Sequence, residues 1–131
     1  SAPTKFMKKY LLSIGLLFLS IFVMGQSALK VNSIEFKANY YKFKGQIIDV
    51  RTAQEFAEGH IEGAKNIDIT NDTFESEIEK LDKNQAFFVY CAIGVRSGRA
   101  AGLLRKKGFK NVIDLNGGYE DLLKVGMKNT K

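Results

Sequence analysis

Three short runs in the chain are apolar almost without interruption: Gln46-Ile47-Ile48-Asp49-Val50, Ala86-Phe87-Phe88-Val89-Tyr90 and Asn111-Val112-Ile113-Asp114-Leu115. Runs of this length without in-out alternation mark strands covered on both faces, as in a parallel sheet between helical layers. Ile67 to Ile69 predicts a further short strand, and Leu29 to Val31 an edge strand. Helical patterns lie between them. Thr52-Ala53-Gln54-Glu55 reads as a capping box, a threonine N-cap with glutamate three residues on, opening a short helix through Glu58. Asp72 is expected to cap a second helix with Phe74, Ile78 and Leu81 on one face. A third helix is predicted over Ser97 to Lys107, closed by Gly108, and a last one over Tyr119 to Val125, also followed by glycine. A weaker helical pattern covers Ser33 to Ala38. Strands alternating with helices predict an α/β domain with a mainly parallel sheet, whose ligands gather beyond the carboxyl ends of the strands.

The N-terminal stretch is of another kind. Ser1 to Phe6 precede a methionine and read as a leftover of cloning. From Met7, the charged Lys8 and Lys9 lead into an apolar core from Leu11 to Met24, with small residues Val23 and Gly25 placed for cleavage before Gln26. Residues 7–25 are therefore expected to be a secretory signal, and residues 26–131 the folded domain. The apolar run of 14 residues is shorter than the roughly 18 to 20 needed to span a bilayer. An exported, periplasmic protein with no stable membrane insertion after cleavage is the expectation. The remaining length of about 106 residues supports one domain around one core.

Charge then changes little. The leader carries Lys5, Lys8 and Lys9 and no acidic residue, so the formal net charge falls from +6 to +3 on cleavage. That mild excess can help attract a small anion but makes no case for nucleic-acid binding. Cysteine usage matters more. Cys91 is the only cysteine, so an exported chain would carry a thiol without an internal partner. It stands where the second clear strand ends. The segment Cys91-Ala92-Ile93-Gly94-Val95-Arg96 joins that strand to the following helix. A tight loop here can turn backbone N–H groups inward, and the helix adds its own unpaired N–H groups and the positive end of its dipole. Gly94 gives the backbone its freedom to turn. A thiol in that field favours the nucleophilic thiolate. Arg96 can line the mouth and attract an anion, or bind a neighbouring carboxylate, and Ser97 can cap the helix with its hydroxyl near the pocket. Without such surroundings a lone cysteine is an ordinary small core residue.

Three segments carry a resemblance: CAIGVRS at Cys91, DVRTAQEFAEGHIEGAKNI from Asp49 to Ile67, and GGYEDL from Gly117 to Leu122. Together, in this order and spacing, they resemble a single-domain rhodanese across nearly the whole of residues 26–131. The resemblance implies the rhodanese-like three-layer α/β/α fold and sulfurtransferase activity, with no metal or organic cofactor. It makes Cys91 the nucleophile that carries a persulfide, and Ala92, Ile93, Gly94, Val95, Arg96 and Ser97 the loop that binds the substrate. The implied partners are a small-molecule sulfur donor such as thiosulfate, a thiol or cyanide acceptor, and a redox or sulfur-acceptor protein. Glu62 stands where the family often has proline, and Tyr119 where tryptophan is frequent. Ala92 and Ile93 are neutral, whereas loops suited to thiosulfate often carry more basic residues.

Two other readings remain beside this one. Cysteine-based phosphatases and arsenate reductases on the same scaffold enclose five residues between cysteine and arginine; Cys91 and Arg96 enclose four. A catalytically idle module that binds a partner protein has no physical need of Cys91, Gly94 and Arg96 together. Asp49 and Arg51 are expected to form a structural ion pair at the end of the first strand. His60, the only histidine, reads as a loop-packing residue, and Gly117-Gly118 as a turn beside the active loop.

Overall fold

The computed structural model describes residues 29–131. The leader expected at 1–6 and 7–25 lies outside the described residues. Five strands form one parallel sheet in the order β1–β6–β5–β2–β4: β1 is Leu29–Val31, β2 Gln46–Asp49, β4 Lys65–Asn66, β5 Ala86–Tyr90 and β6 Asn111–Leu115. A separate antiparallel pair joins β3, His60–Ile61, to the C-terminal β7, Asn129–Thr130.

Side chains of β5 alternate between two apolar layers, which explains why its sequence shows no alternation. Phe87, Val89 and Cys91 enter the layer built with Ala100, Ala101 and Leu104 of α4 (Val95–Lys106) and with Phe74 and Ile78 of α3 (Phe74–Glu79). Phe88 and Tyr90 enter the opposite layer, with Phe36 of α1 (Ser33–Phe43) and Leu122 of α5 (Tyr119–Lys124). The remaining helix, α2 (Ala53–Glu58), follows β2 at the sheet's carboxyl edge. This is the rhodanese-like fold, helices on both faces of a parallel sheet. The chain leaves β2 toward β4 on one side and β5 toward β6 on the other, so the strand order reverses between β2 and β5. The crevice at such a reversal is where α/β sheets bind ligands. Cys91 follows β5 and the Asp49–Arg51 pair ends β2.

Several boundaries differ from the sequence reading. The paired strand after β3 is Lys65–Asn66, not Ile67 to Ile69. Ile67 and Ile69 still donate their N–H groups to the Asp49 and Val50 carbonyls, at 3.0 and 3.2 Å, but as a departing loop. Asp72 does not cap α3: Thr73 holds the N-cap position, with no side-chain capping bond, and the Phe74 N–H goes to the Asn71 carbonyl. Helix α1 runs five residues past Ala38, held at its start by Asn32, whose side chain accepts the Glu35 N–H at 2.9 Å. Helix α4 begins at Val95, with Gly94 as N-cap, two residues before the expected Ser97. Ser97 sits inside the first turn and gives its hydroxyl hydrogen to the Gly94 carbonyl at 3.1 Å. The positive φ of Gly94, 101°, lets the chain turn from loop into helix that early.

Candidate active site

Cys91 is delivered by β5 to the amino end of α4 and is fully buried. Its sulfur accepts the Gly94 N–H at 3.0 Å and the Ser97 N–H at 3.3 Å. Burial alone pushes the thiol up, but the Ser97 hydroxyl and the N–H groups of Ser97, Gly94 and Ile93 outweigh it. The net result holds Cys91 below its ordinary value. The α4 dipole points the same way, since all twelve residues of that helix run away from the sulfur.

The cradle is closed from outside by the Gly117-Gly118 turn. The Tyr119 N–H bonds the Cys91 carbonyl at 2.9 Å, and Asp121 accepts the Gly118 N–H at 2.8 Å. A side chain at Gly118 would overlap the Ala92 carbonyl oxygen. At Gly94 a Cβ would come within 3.1 Å of the Gly117 carbonyl. The GG turn and the cysteine loop therefore touch backbone to backbone, and glycine is needed on both sides of the contact.

Arg96 forms a two-pronged ion pair with Glu55 of α2, at 2.7 and 3.0 Å. The guanidinium, with help from Thr52 and against some burial, holds the Glu55 carboxyl at about 2. Of the two roles open to Arg96 from sequence, the structure shows the carboxylate partner. Glu55 is the residue that sequence reasoning missed. It was legible only as half of a capping box, which the structure also contains.

Asp49 and Arg51 form a buried ion pair at 2.7 Å. Arg51 also donates to the Gly59 carbonyl at 2.7 Å and lies over the Tyr119 ring, 4.4 Å from its centre. Tyr90 completes the network, giving its hydroxyl to Asp49 at 2.6 Å and accepting the Ile61 N–H at 3.0 Å. Asn66 bridges the Asp49 and Arg51 carbonyls. This assembly fixes the loop after β2 and makes no hydrogen bond to the sulfur. His60 packs flat on Phe56, with ring centres 3.5 Å apart, and its Nδ1 meets the Phe56 carbonyl. At the mouth, Ile93 and Val95 stand 76% and 65% exposed. Among the described residues no cluster of three histidine, cysteine, aspartate or glutamate side chains is placed to hold a metal ion.

A sulfur at the carboxyl end of a central parallel strand, held by N–H groups of the next helix, defines an α/β domain of the cysteine-loop class. The family model for the rhodanese-like domain matches residues 34–124. The chain belongs to that family. It is 41% identical over 86 residues to the uncharacterized protein YqhL of Bacillus subtilis, covering 66% of this chain and 65% of that one. It is 36% identical over 74 residues to the thiosulfate sulfurtransferase GlpE of Shewanella oneidensis, covering 56% of this chain and 71% of GlpE. Among solved structures, a rhodanese-like domain protein from Staphylococcus aureus superposes with a TM-score of 0.65 at 31% identity, covering 76% of this chain and 96% of that one. The rhodanese-like domain of the Anabaena sp. Alr3790 protein gives 0.67 at 27% identity, with 77% of each chain covered.

Proposed function

We propose that the protein is a sulfurtransferase that carries a sulfane sulfur on Cys91. The observation that carries this reading is the Cys91 sulfur itself, held by two backbone N–H groups at a helix N-terminus. Such donors are fixed in place before reaction and stabilise negative charge on sulfur without reorganising. The thiolate attacks the outer sulfur of thiosulfate, a new S–S bond forms at Cys91, and the donor's S–S bond breaks to release sulfite. A thiolate or cyanide then attacks the outer sulfur of the persulfide, and Cys91 leaves as thiolate. The similarity to GlpE supports thiosulfate as a workable donor.

The loop's size argues against phosphoryl chemistry. Four residues separate Cys91 from Arg96, one fewer than in the cysteine-based phosphatases, which leaves a smaller cradle. Arg96 spends its charge on Glu55, and the exposed rim is the apolar pair Ile93 and Val95. That rim favours an acceptor with apolar surface around its thiol, a sulfur-acceptor or redox protein, over a highly charged small anion. Export to the periplasm, through the leader at 7–25, belongs to the same proposal. Intact-protein mass spectrometry tests the chemistry. Thiosulfate should add one sulfur and cyanide remove it, with no change in Cys91→Ser. A wild-type mass that never moves would sink the sulfurtransferase reading.

A further inference from the structure

Two open grooves flank the cysteine loop, and their charges are opposite. The first, about 530 Å³, is lined by Lys30, Ile93, Val95, Arg99 and Asn116, with no acidic side chain in its wall. The second, about 310 Å³, is lined by Arg51, Glu55, Glu58, Tyr119 and Glu120. The sheet order β1–β6–β5–β2 sets Cys91 between them, since Lys30 lies on β1, Cys91 follows β5 and Arg51 follows β2.

The charges in both grooves are available to a partner. The Lys30 side chain is 56% exposed and meets only the buried Asp114, at 3.8 Å. Arg99 is exposed and forms no ion pair among the described residues. Gly98 keeps the floor between the two cations low, since a Cβ there would stand 3.8 Å from Lys30 Nζ. In the second groove Arg51 is taken by Asp49 and Glu55 by Arg96. Glu58 and Glu120 are left, both exposed and without an ion pair among the described residues. Between the charges stand the exposed Ile93 and Val95, which gain from an apolar surface laid over them. A small anion has no use for grooves of opposite sign on two sides of the sulfur. A polypeptide lying across the mouth does.

Resting on the sulfurtransferase reading above, we propose that the two grooves dock the sulfur acceptor as a protein segment. Its cysteine lies between apolar side chains, with an acidic side chain toward Lys30 and Arg99 and a basic one toward Glu58 and Glu120. The apolar neighbours cover Ile93 and Val95. The charges select the partner and its orientation more than they add affinity, because the reversed orientation brings like charges together. Once docked, the acceptor thiolate attacks the outer sulfur of the Cys91 persulfide. One S–S bond forms on the acceptor, the S–S bond to Cys91 breaks, and Cys91 leaves as thiolate.

Peptide titration of the ¹⁵N-labelled full chain tests the docking surface. The peptides are acetylated, amidated and of zero net charge, so the overall positive charge of the protein attracts none of them. The probe is Asp-Leu-Ser-Leu-Lys, used in both residue orders because the grooves fix charge and not chain direction. Gly-Leu-Ser-Leu-Gly is the reference. The better-bound order should bind about threefold to tenfold more tightly than the reference, as two exposed ion pairs allow, and should shift the amide signals of Ile93, Val95, Arg99 and Glu120. High salt should remove the preference. Lys30→Gln with Arg99→Glu should also remove it, while the rate of Cys91 alkylation by neutral iodoacetamide stays at the wild-type value. Equal affinity for probe and reference, no binding at millimolar peptide, shifts confined to another face, or a preference that survives the double variant overturns the proposal. The wild-type comparison decides even if the variant does not fold. None of these readouts requires sulfur transfer, so failure of thiosulfate to load Cys91 is a separate result. On loaded protein, the probe with cysteine for serine should strip the sulfur faster than the matching reference by the same factor; equal rates would overturn the surface's role in sulfur delivery.

Discussion

Replacing Glu55 by Gln removes the anion that holds Arg96 while keeping the side chain's size. A carboxyl held at about 2 instead of 4.5 corresponds to at most about 3 kcal/mol of folding stability above pH 5. Both partners are partly solvated, with side chains 33% and 26% exposed. Screening reduces the figure to about 1 kcal/mol at pH 7. The sign follows from the direction of the shift. A folded value below the unfolded one means the stabilisation is fully present above pH 4.5 and fades as pH falls toward 2. Urea unfolding of wild type and Glu55→Gln at pH 7 should therefore differ by about 1 kcal/mol, or roughly 4 to 8 °C in Tm for a domain of this size. Less than about half of that difference should survive at pH 3. Equal stabilities at pH 7, or a gap that does not narrow at pH 3, would refute the account of the pair.

Two further outcomes follow from the contacts around the sulfur. Gly118→Ala should push the Ala92 carbonyl outward and drag the Gly94 N–H off the sulfur, costing about 1–3 kcal/mol as overpacking does. It should also slow Cys91 alkylation at pH 7 several-fold, and an unchanged rate and denaturation midpoint would show that the turn and loop are not coupled. Tyr90→Phe strands the buried Ile61 N–H and takes one donor from Asp49 Oδ2, which keeps Arg51, so stability should drop by about 2 kcal/mol while the alkylation rate stays at the wild-type value. A changed rate there would mean that the Asp49 network reaches the thiol after all.

The central strands were legible because their two faces are both covered, which leaves an apolar run as the only pattern compatible with the layers. Cys91 was legible for a related reason: the end of such a strand, a glycine and a helix start in six residues leave few places for the sulfur to point. The start of α4 was not, because it depends on the positive φ of Gly94, which permits an earlier turn than the Ser97 capping signal suggests. Glu55 escaped notice because its partner Arg96 lies 41 residues away, and no local pattern encodes a contact over that distance.

The charges around the sulfur point to what stabilises its anion. Arg51 is occupied by Asp49 and Arg96 by Glu55, so neither arginine bonds the sulfur or stands as an unpaired cation in the loop. The sulfur reads the N–H groups of Gly94, Ser97 and Ile93 instead. Backbone dipoles at 3.0 and 3.3 Å from a fully buried atom are not screened as exposed charges are. The two ion pairs then have a different task. Glu55–Arg96 fastens α2 to the first turn of α4, and Asp49–Arg51 fastens the end of β2 to the Gly59 loop and the Tyr119 ring. Both hold still the backbone that supplies the dipoles, so the arginines act on Cys91 through the geometry they preserve more than through their charge.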